Sequence, residues 1–295
     1  MSMQPAHFLF LVLINLIFAV AIITANYGFA EFPPFVFTTL RFLILAVLLA
    51  PFLKIHKGSM VHIFIIALCG GGVQFALFYT GIHVSDNVSA VVIASELGVP
   101  FATVLGMLFL SEAVGWRRWL GMLLAFGGVM FIMFDPEVFG YLTGMMFGVF
   151  AAASGAIATI FMRLIKGVKV FELQAWIVMI SWPPLLLITL LTEPEAWGAI
   201  ASATWVGWGA VLFAALISNL FAHAGMFYLY QRYEVSLIAP LTLMAPIMTI
   251  GLGVWLLGDV LTTRMIIGAV ITTLGVLVIT LRTPAETLRD VEVTH

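Results

Sequence analysis

Apolar residues run along this chain in blocks of roughly twenty, and short segments between the blocks hold nearly all the charges. A helix needs about 20 apolar residues to cross the hydrocarbon of a bilayer. The blocks predict spans near 8–26, 34–53, 61–82, 87–110, 117–134, 140–162, 171–191, 204–230, 235–257 and 264–281. The expected fold is all-α and polytopic, with ten transmembrane helices. The connections leave no room for a soluble catalytic domain, and only Pro284 to His295 reads as an unstructured tail. No Lys or Arg precedes Phe8, so the first block reads as a span and not as a secretory leader, although Ala19-Val20-Ala21 has the small residues of a cleavage site.

The pattern repeats. Residues 87–132 align without a gap onto 234–279, a displacement of 147, with 10 of 46 positions identical. Val88-Ser89 matches Val235-Ser236, Leu105-Gly106 matches Leu252-Gly253, Arg117 matches Arg264, and Gly121 and Gly128 match Gly268 and Gly275. Glu112 falls opposite Asp259. Upstream, Phe78-Tyr79 with His83 resembles Phe227-Tyr228 with Arg232 after a two-residue shift. The expected units are a first five-helix repeat (1–135), a second (136–283) and a cytoplasmic tail (284–295). Five is odd, so the second copy is expected to enter the membrane upside down. Inverted repeats around a central cavity are the basis of alternating access in carriers.

Composition agrees with a membrane protein. Hydrophobic residues make up 63% and charged residues 9%, against about 45–50% and 25% in soluble domains. The net charge of −2 excludes a nucleic-acid partner, which needs a basic surface. Cys69 is the sole cysteine, so it reads as a small core residue. With the N-terminus in the cytoplasm, Lys54, Lys57, Arg117, Arg118, Arg163, Lys166, Lys169, Arg232, Arg282 and Arg289 all fall on the cytoplasmic side, and Arg264 alone in an outer loop. Orientation follows Lys and Arg, so both termini are expected inside. Glu31, Asp86, Asp135, Glu137, Glu193 and Glu195 fall outside.

Leu110-Ser111-Glu112 and Leu257-Gly258-Asp259 each end the fourth helix of a half. Pro100 to Glu112, then Gly121 and Gly127-Gly128, is similar to the "P…lgE…G…GG" signature of the EamA-type members of the drug/metabolite transporter superfamily, as is Pro246 to Asp259, then Gly268 and Gly275. The chain departs from that pattern in Asp259, where Glu is usual, and in lacking a Trp near the start of its first helix. The resemblance implies a cavity between the halves and export, less often uptake, of amino acids and other small metabolites. It also implies a bacterial inner membrane.

Ionisable residues inside spans are functional candidates by default. Arg41 lies seven residues into the second span and Glu96 nine into the fourth, at depths of about 10 and 13 Å. Gln74 and Tyr79 fall in or near the same layer. Glu96 and Arg41 either face the cavity, offering complementary charges to a zwitterion, or pair with each other and lock two helices. Glu96 is also a candidate for proton exchange. His223 and Asn219, four apart on the eighth span, share a face; the His either handles protons or is a satisfied core residue. Trp176 is a candidate for an aromatic-lined cavity. Glu112 with Arg117, and Asp259 with Arg264, read as ion pairs that close turns or gate. Pro100, Pro240 and Pro246 interrupt helices and are candidate hinges or static bends. Gly144-x-x-x-Gly148 with Ala152 gives the sixth helix a small-residue face, for packing within the bundle or in a dimer.

Other classes fit poorly. The chain has no H-E-x-x-H, no G-x-S-x-G and no phosphate-binding loop. Its six His are scattered, so neither a metal nor another cofactor is expected. No repeat supplies the ring of charges or carbonyls that a channel needs. The partners expected are a small molecule, lipid and, as an open alternative, protons; the oligomer is a monomer or homodimer. Without an ATP-binding motif, transport would be secondary.

Overall fold

The computed structural model of the protein describes residues 3–84, 88–133, 142–257 and 263–280. Their regular structure is all helical, with no strand among the described residues. The helices are α1 (Pro5–Phe29), α2 (Pro34–Leu49), α3 (Met60–Ile82), α4 (Val88–Ser95), α5 (Gly98–Leu110), α6 (Trp116–Met133), α7 (Leu142–Leu164), α8 (Val170–Thr192), α9 (Trp205–Arg232), α10 (Val235–Leu241), α11 (Met244–Leu252) and α12 (Thr263–Thr280). Among the described residues, seven helical stretches are long and apolar enough to cross a bilayer: Pro5–Phe29, Pro34–Phe52, Met60–Ile82, Leu142–Leu164, Val170–Thr192, Trp205–Arg232 and Val235–Leu256. Large apolar side chains such as Leu9, Val47, Leu108, Phe109, Leu191 and Trp255 point outward. A water-soluble protein would not expose so many.

Two apolar blocks that read as single spans are interrupted. The block at 87–110 breaks between α4 and α5 at Glu96-Leu97, and the block at 235–257 breaks between α10 and α11 at Thr242-Leu243. The physical cause is the missing proline N–H. Pro100 cannot donate to the carbonyl of Glu96, which instead accepts from Val99 at 3.2 Å. Pro246 likewise leaves the carbonyl of Thr242 to Ala245 at 3.0 Å. Pro240 lies inside α10, in its last turn. The helix bounds recur at the displacement seen in the sequence: Val88, Trp116 and Met133 have counterparts at Val235, Thr263 and Thr280, each 147 residues on.

α6 and α12 pack antiparallel and very close. The α carbon of Gly121 faces the carbonyl of Gly275, and that of Gly128 faces the carbonyl of Gly268. A side chain at Gly121 or Gly128 would meet backbone at 2.8 or 2.6 Å. These four glycines are the pairs matched between the halves. Elsewhere α2 packs on α8, α5 on α10, and α1 on α9 and α11. The small face of α7 packs within the bundle: Gly148 lies against Val91 and Ala94 of α4, and Ala152 against Gly98 of α5.

Carboxylates tie helix starts together across the chain. Ser111 takes a left-handed conformation (φ 53°) that ends α5 and turns Glu112 toward α10. The Glu112 carboxylate accepts from the N–H groups of Val235 and Ser236, both at 2.8 Å. It forms no ion pair with Arg118, whose partner is Glu234; Arg117 packs over Trp116. Glu193 accepts in the same way from Phe35 (3.2 Å) and Val36 (2.9 Å) at the start of α2. Glu31 accepts from the N–H and hydroxyl of Thr204, both at 2.6 Å, and these bonds hold its carboxyl below the ordinary value. Each carboxylate satisfies donors that a helix start leaves open. Arg264 donates to the carbonyl of Phe131 at 2.6 Å. Its expected partner Asp259, with Gly258, lies outside the described residues, as do Asp86, Asp135, Glu137 and the tail. Glu112→Ala is expected to cost about 1–2 kcal/mol, the size of a lost N-cap. Thermal unfolding in detergent measures it, and Glu112→Gln, which keeps one acceptor, should lose less.

Candidate functional site

Two widened turns shape the centre of the bundle. In α3 the stretch Ala67–Val73 is π-helical. Two of the three glycines there admit neighbours closely: a side chain at Gly70 would strike Ala158 of α7, and one at Gly71 would strike Ser181 and Ile177 of α8. Hydroxyls from neighbouring helices satisfy the carbonyls of the widened turn. Ser181 donates to Ala67 O at 3.0 Å, and Ser154 of α7 to Cys69 O at 2.8 Å. In α9 the stretch Phe213–His223 is also π-helical. Gln174 of α8 donates to the carbonyl of Asn219, and His223 Nδ1 lies 3.0 Å from the carbonyl of Ser218. Such widened turns are frequent at functional sites.

Between these turns lies a cavity of about 280 Å³. Its walls come from α1, α3, α4, α5, α7, α8, α9 and α10. The polar side chains on it are Gln74, Ser95, Thr159, His223, Tyr230 and Thr242, and Phe18, Phe75 and Phe227 supply aromatic surface. Gln74 fits because Gly155 faces it with no side chain: a β carbon there would sit 2.7 Å from the Gln74 amide. Ser95, Thr159 and Thr242 each donate to the backbone of their own helix, which leaves their lone pairs for a ligand. The Gln74 amide and the Tyr230 hydroxyl have no hydrogen-bond partner among the described residues. The His223 ring stands edge-on to Phe18 at 4.9 Å. The lining is neutral, apolar in the main and polar at a few points, which is the character of a small-molecule site.

Four of the six polar lining residues fall into pairs at the displacements seen in the sequence. Ser95 and Thr242 are 147 residues apart; Ser95 precedes one helix break and Thr242 lies in the other. Gln74 and His223 are 149 apart, the displacement that also matches Phe78-Tyr79 to Phe227-Tyr228. Ser95, Thr159, Tyr230 and Thr242 were not among the residues singled out by sequence polarity. The 147-residue displacement was the signal that could have found Ser95 and Thr242.

The other candidates fall elsewhere. Glu96 sits at the α4–α5 break, partly buried; it does not line the cavity, and its carboxylate has no partner among the described residues. Arg41 is only 8% exposed and stacks over Phe75 at 4.8 Å and Phe42 at 5.6 Å. The two form no ion pair with each other, so the lock between α2 and the helix break is not made. Tyr79 is buried among Phe29, Phe35, Phe75 and Phe78, outside the cavity lining. Trp176 donates to the carbonyl of Lys54 at 2.8 Å, at the turn between α2 and α3, and does not reach the cavity. Asn219 lies beside the cavity, in a smaller recess shared with His223. The described residues hold no cluster of His, Cys, Asp and Glu that could bind a metal.

A helical, membrane-spanning bundle with a neutral cavity walled by helices from both ends of the chain belongs among membrane transporters, not enzymes. The sequence matches the EamA-like transporter family over residues 6–134 and 142–281, and the chain belongs to that family. It is 25% identical over 279 residues (89% of this chain, 92% of the relative) to the uncharacterized transporter YoaV of Bacillus subtilis. It is 24% identical over 272 residues (89% and 91%) to a probable amino-acid metabolite efflux pump of Salmonella typhimurium. A solved chain, "Crystal structure of protein", shares the fold at a TM-score of 0.80 and 17% identity, over 94% of this chain and 97% of that one.

Proposed function

We propose that the protein is a secondary transporter that exports a small metabolite of the amino-acid type across the inner membrane by alternating access. The observation that carries this reading is the central cavity with its paired polar residues, Gln74 with His223 and Ser95 with Thr242. Pairs at fixed displacements are what two inverted five-helix halves, 1–135 and 136–283, would contribute to a shared site. The antiparallel glycine contact of α6 with α12 supports the same two-fold relation, because equivalent helices meet head to tail about such an axis. Inverted halves can exchange conformations, so that the cavity opens to one side and then the other. The amino-acid class follows the efflux pumps of Salmonella typhimurium and Escherichia coli, both named as such. The excess of Lys and Arg in alternate loops supports a cytoplasmic location for both termini. The breaks at Pro100 and Pro246 serve as hinges, with Pro240 stiffening the end of α10.

Glu96 is proposed to carry a proton in exchange for substrate, with His223 as the partner facing the cavity. Medium and cytosol are compared by metabolomics in cells that express the wild type, Glu96→Gln or no transporter. The wild type should raise an amino acid or amine outside the cell, and Glu96→Gln should lose the dependence of that export on external pH. Equal export with unchanged pH dependence in Glu96→Gln would remove Glu96 from the mechanism.

A further inference from the structure

We infer that Arg41 and Gln174 form a head-group subsite for the carboxylate and ammonium of the transported compound, reached from the central cavity past Phe75. This rests on the reading of that cavity as the substrate site.

Arg41 is buried, and its Nε and Nη2 have no hydrogen-bond partner. No described acidic residue pairs with it. Its stacking on Phe75 and Phe42 offsets part of the desolvation of the cation. A buried cation still lacks its best partner until an anion joins it. Gln174 is 3% exposed. Its Nε2 is committed to the carbonyl of Asn219, which fixes the amide, and its Oε1 is buried with no donor. The orphan acceptor lines one small recess, and the orphan donors stand behind Phe42 and Phe75, two of that recess's walls.

That recess has a volume of about 30 Å³ and is lined by Phe42, Gly70, Phe75, Gln174, Asn219 and His223. A single water needs about 10–15 Å³ by the same measure, so the recess takes a head group and not a whole metabolite. Gly70, Phe75, Ile177, His223 and Phe227 line both the recess and the 280 Å³ cavity. A compound with a compact zwitterionic head and an apolar side chain divides naturally between them. With Phe75 turned aside, the guanidinium holds the carboxylate by paired N–H bonds, the ammonium donates to Gln174 Oε1, and the side chain lies against Phe18 and Phe227. A simple amine brings only positive charge to Arg41 and is disfavoured.

The test is counterflow in proteoliposomes of the full chain. Each of the twenty amino acids is tried first; each one that responds is then compared with its decarboxylated amine and its amide. Binding is followed in detergent by the shift in thermal unfolding. At least one amino acid should exchange with saturation, and its amine at least tenfold more weakly. Arg41→Met should weaken the apparent affinity tenfold or more while unfolding no earlier than the wild type, since it removes an unpaired cation. Arg41→Lys should recover part of the affinity. Equal exchange of amino acid and amine overturns the subsite, and this arm needs no variant that might misfold. So does unchanged affinity in Arg41→Met, or a panel in which no amino acid exchanges. An Arg41-dependent shift given by acetate or chloride alone, with none from any amino acid, assigns the cation to a free anion and overturns it too. If filling the cavity with Ala102→Phe blocks flux and Arg41→Met leaves it normal, the cavity reading stands and the subsite falls. If neither changes flux, both fall.

Discussion

Ala102→Phe reduces transport at least tenfold in a protein that still folds. Ala102 is buried on α5 and its methyl faces the central cavity. A phenyl group there grows into space that already exists, so it does not pay the strain that overpacking brings to a filled core. It occupies the volume in which a substrate side chain would lie. Tenfold corresponds to about 1.4 kcal/mol of lost binding, which one excluded contact surface of this size readily exceeds. The control is Leu108→Phe, on the same helix but on the outward face, where the side chain is 71% exposed. Its flux should match the wild type. Flux through proteoliposomes, normalised to protein of equal monodispersity, gives the comparison. Equal flux in Ala102→Phe and the wild type would mean that the compound travels elsewhere.

The second large effect is structural. Gly275→Leu is expected to destabilise the protein by ~3 kcal/mol or more, the upper range for overpacking. A β carbon on Gly275 would overlap the backbone of Ala125 and Gly121, and backbone cannot rotate away as a side chain end can. α6 and α12 would have to separate along their length. Gly128→Leu, facing Gly268 and Thr272 from the other helix, should do the same. Gly127→Leu is the contrast, since nothing lies within 4 Å of its missing side chain. Size-exclusion profiles and unfolding temperatures in detergent separate the three. Similar stability for Gly127→Leu and Gly275→Leu would contradict the close crossing.

Much of the helical layout was legible because a bilayer demands long apolar runs, and run length is visible in any single sequence. The interruptions at Glu96-Leu97 and Thr242-Leu243 were not, because a break alters backbone hydrogen bonds without altering polarity. The prolines marked the neighbourhood; only the structure shows which carbonyls they release. Gln74 and His223 stood out as polar groups in apolar helices. Ser95, Thr159 and Thr242 did not, since a hydroxyl in a helix commonly bonds its own backbone and so carries no signal of a cavity. Trp176 and Tyr79 show the converse. An aromatic side chain suits a cavity, a core or an interface equally, and the sequence does not say which way it points. Glu112 was legible as important but not in its partner: the sequence places Arg117 and Arg118 beside it, whereas the left-handed turn at Ser111 delivers it to the start of α10.

Whether substrate sits in the central cavity is tested most directly by thiols placed on its wall. In a Cys69→Ala background, Ser95→Cys and Thr242→Cys place single thiols on the two related walls of that cavity. Their rate of reaction with a small, membrane-impermeant thiol reagent is measured with and without the exported compound. The account predicts that both thiols react and that the compound slows both, at the concentration that half-saturates flux. Thiols that stay unreactive from either side of the membrane, or that react at a rate no exported compound changes, would contradict it.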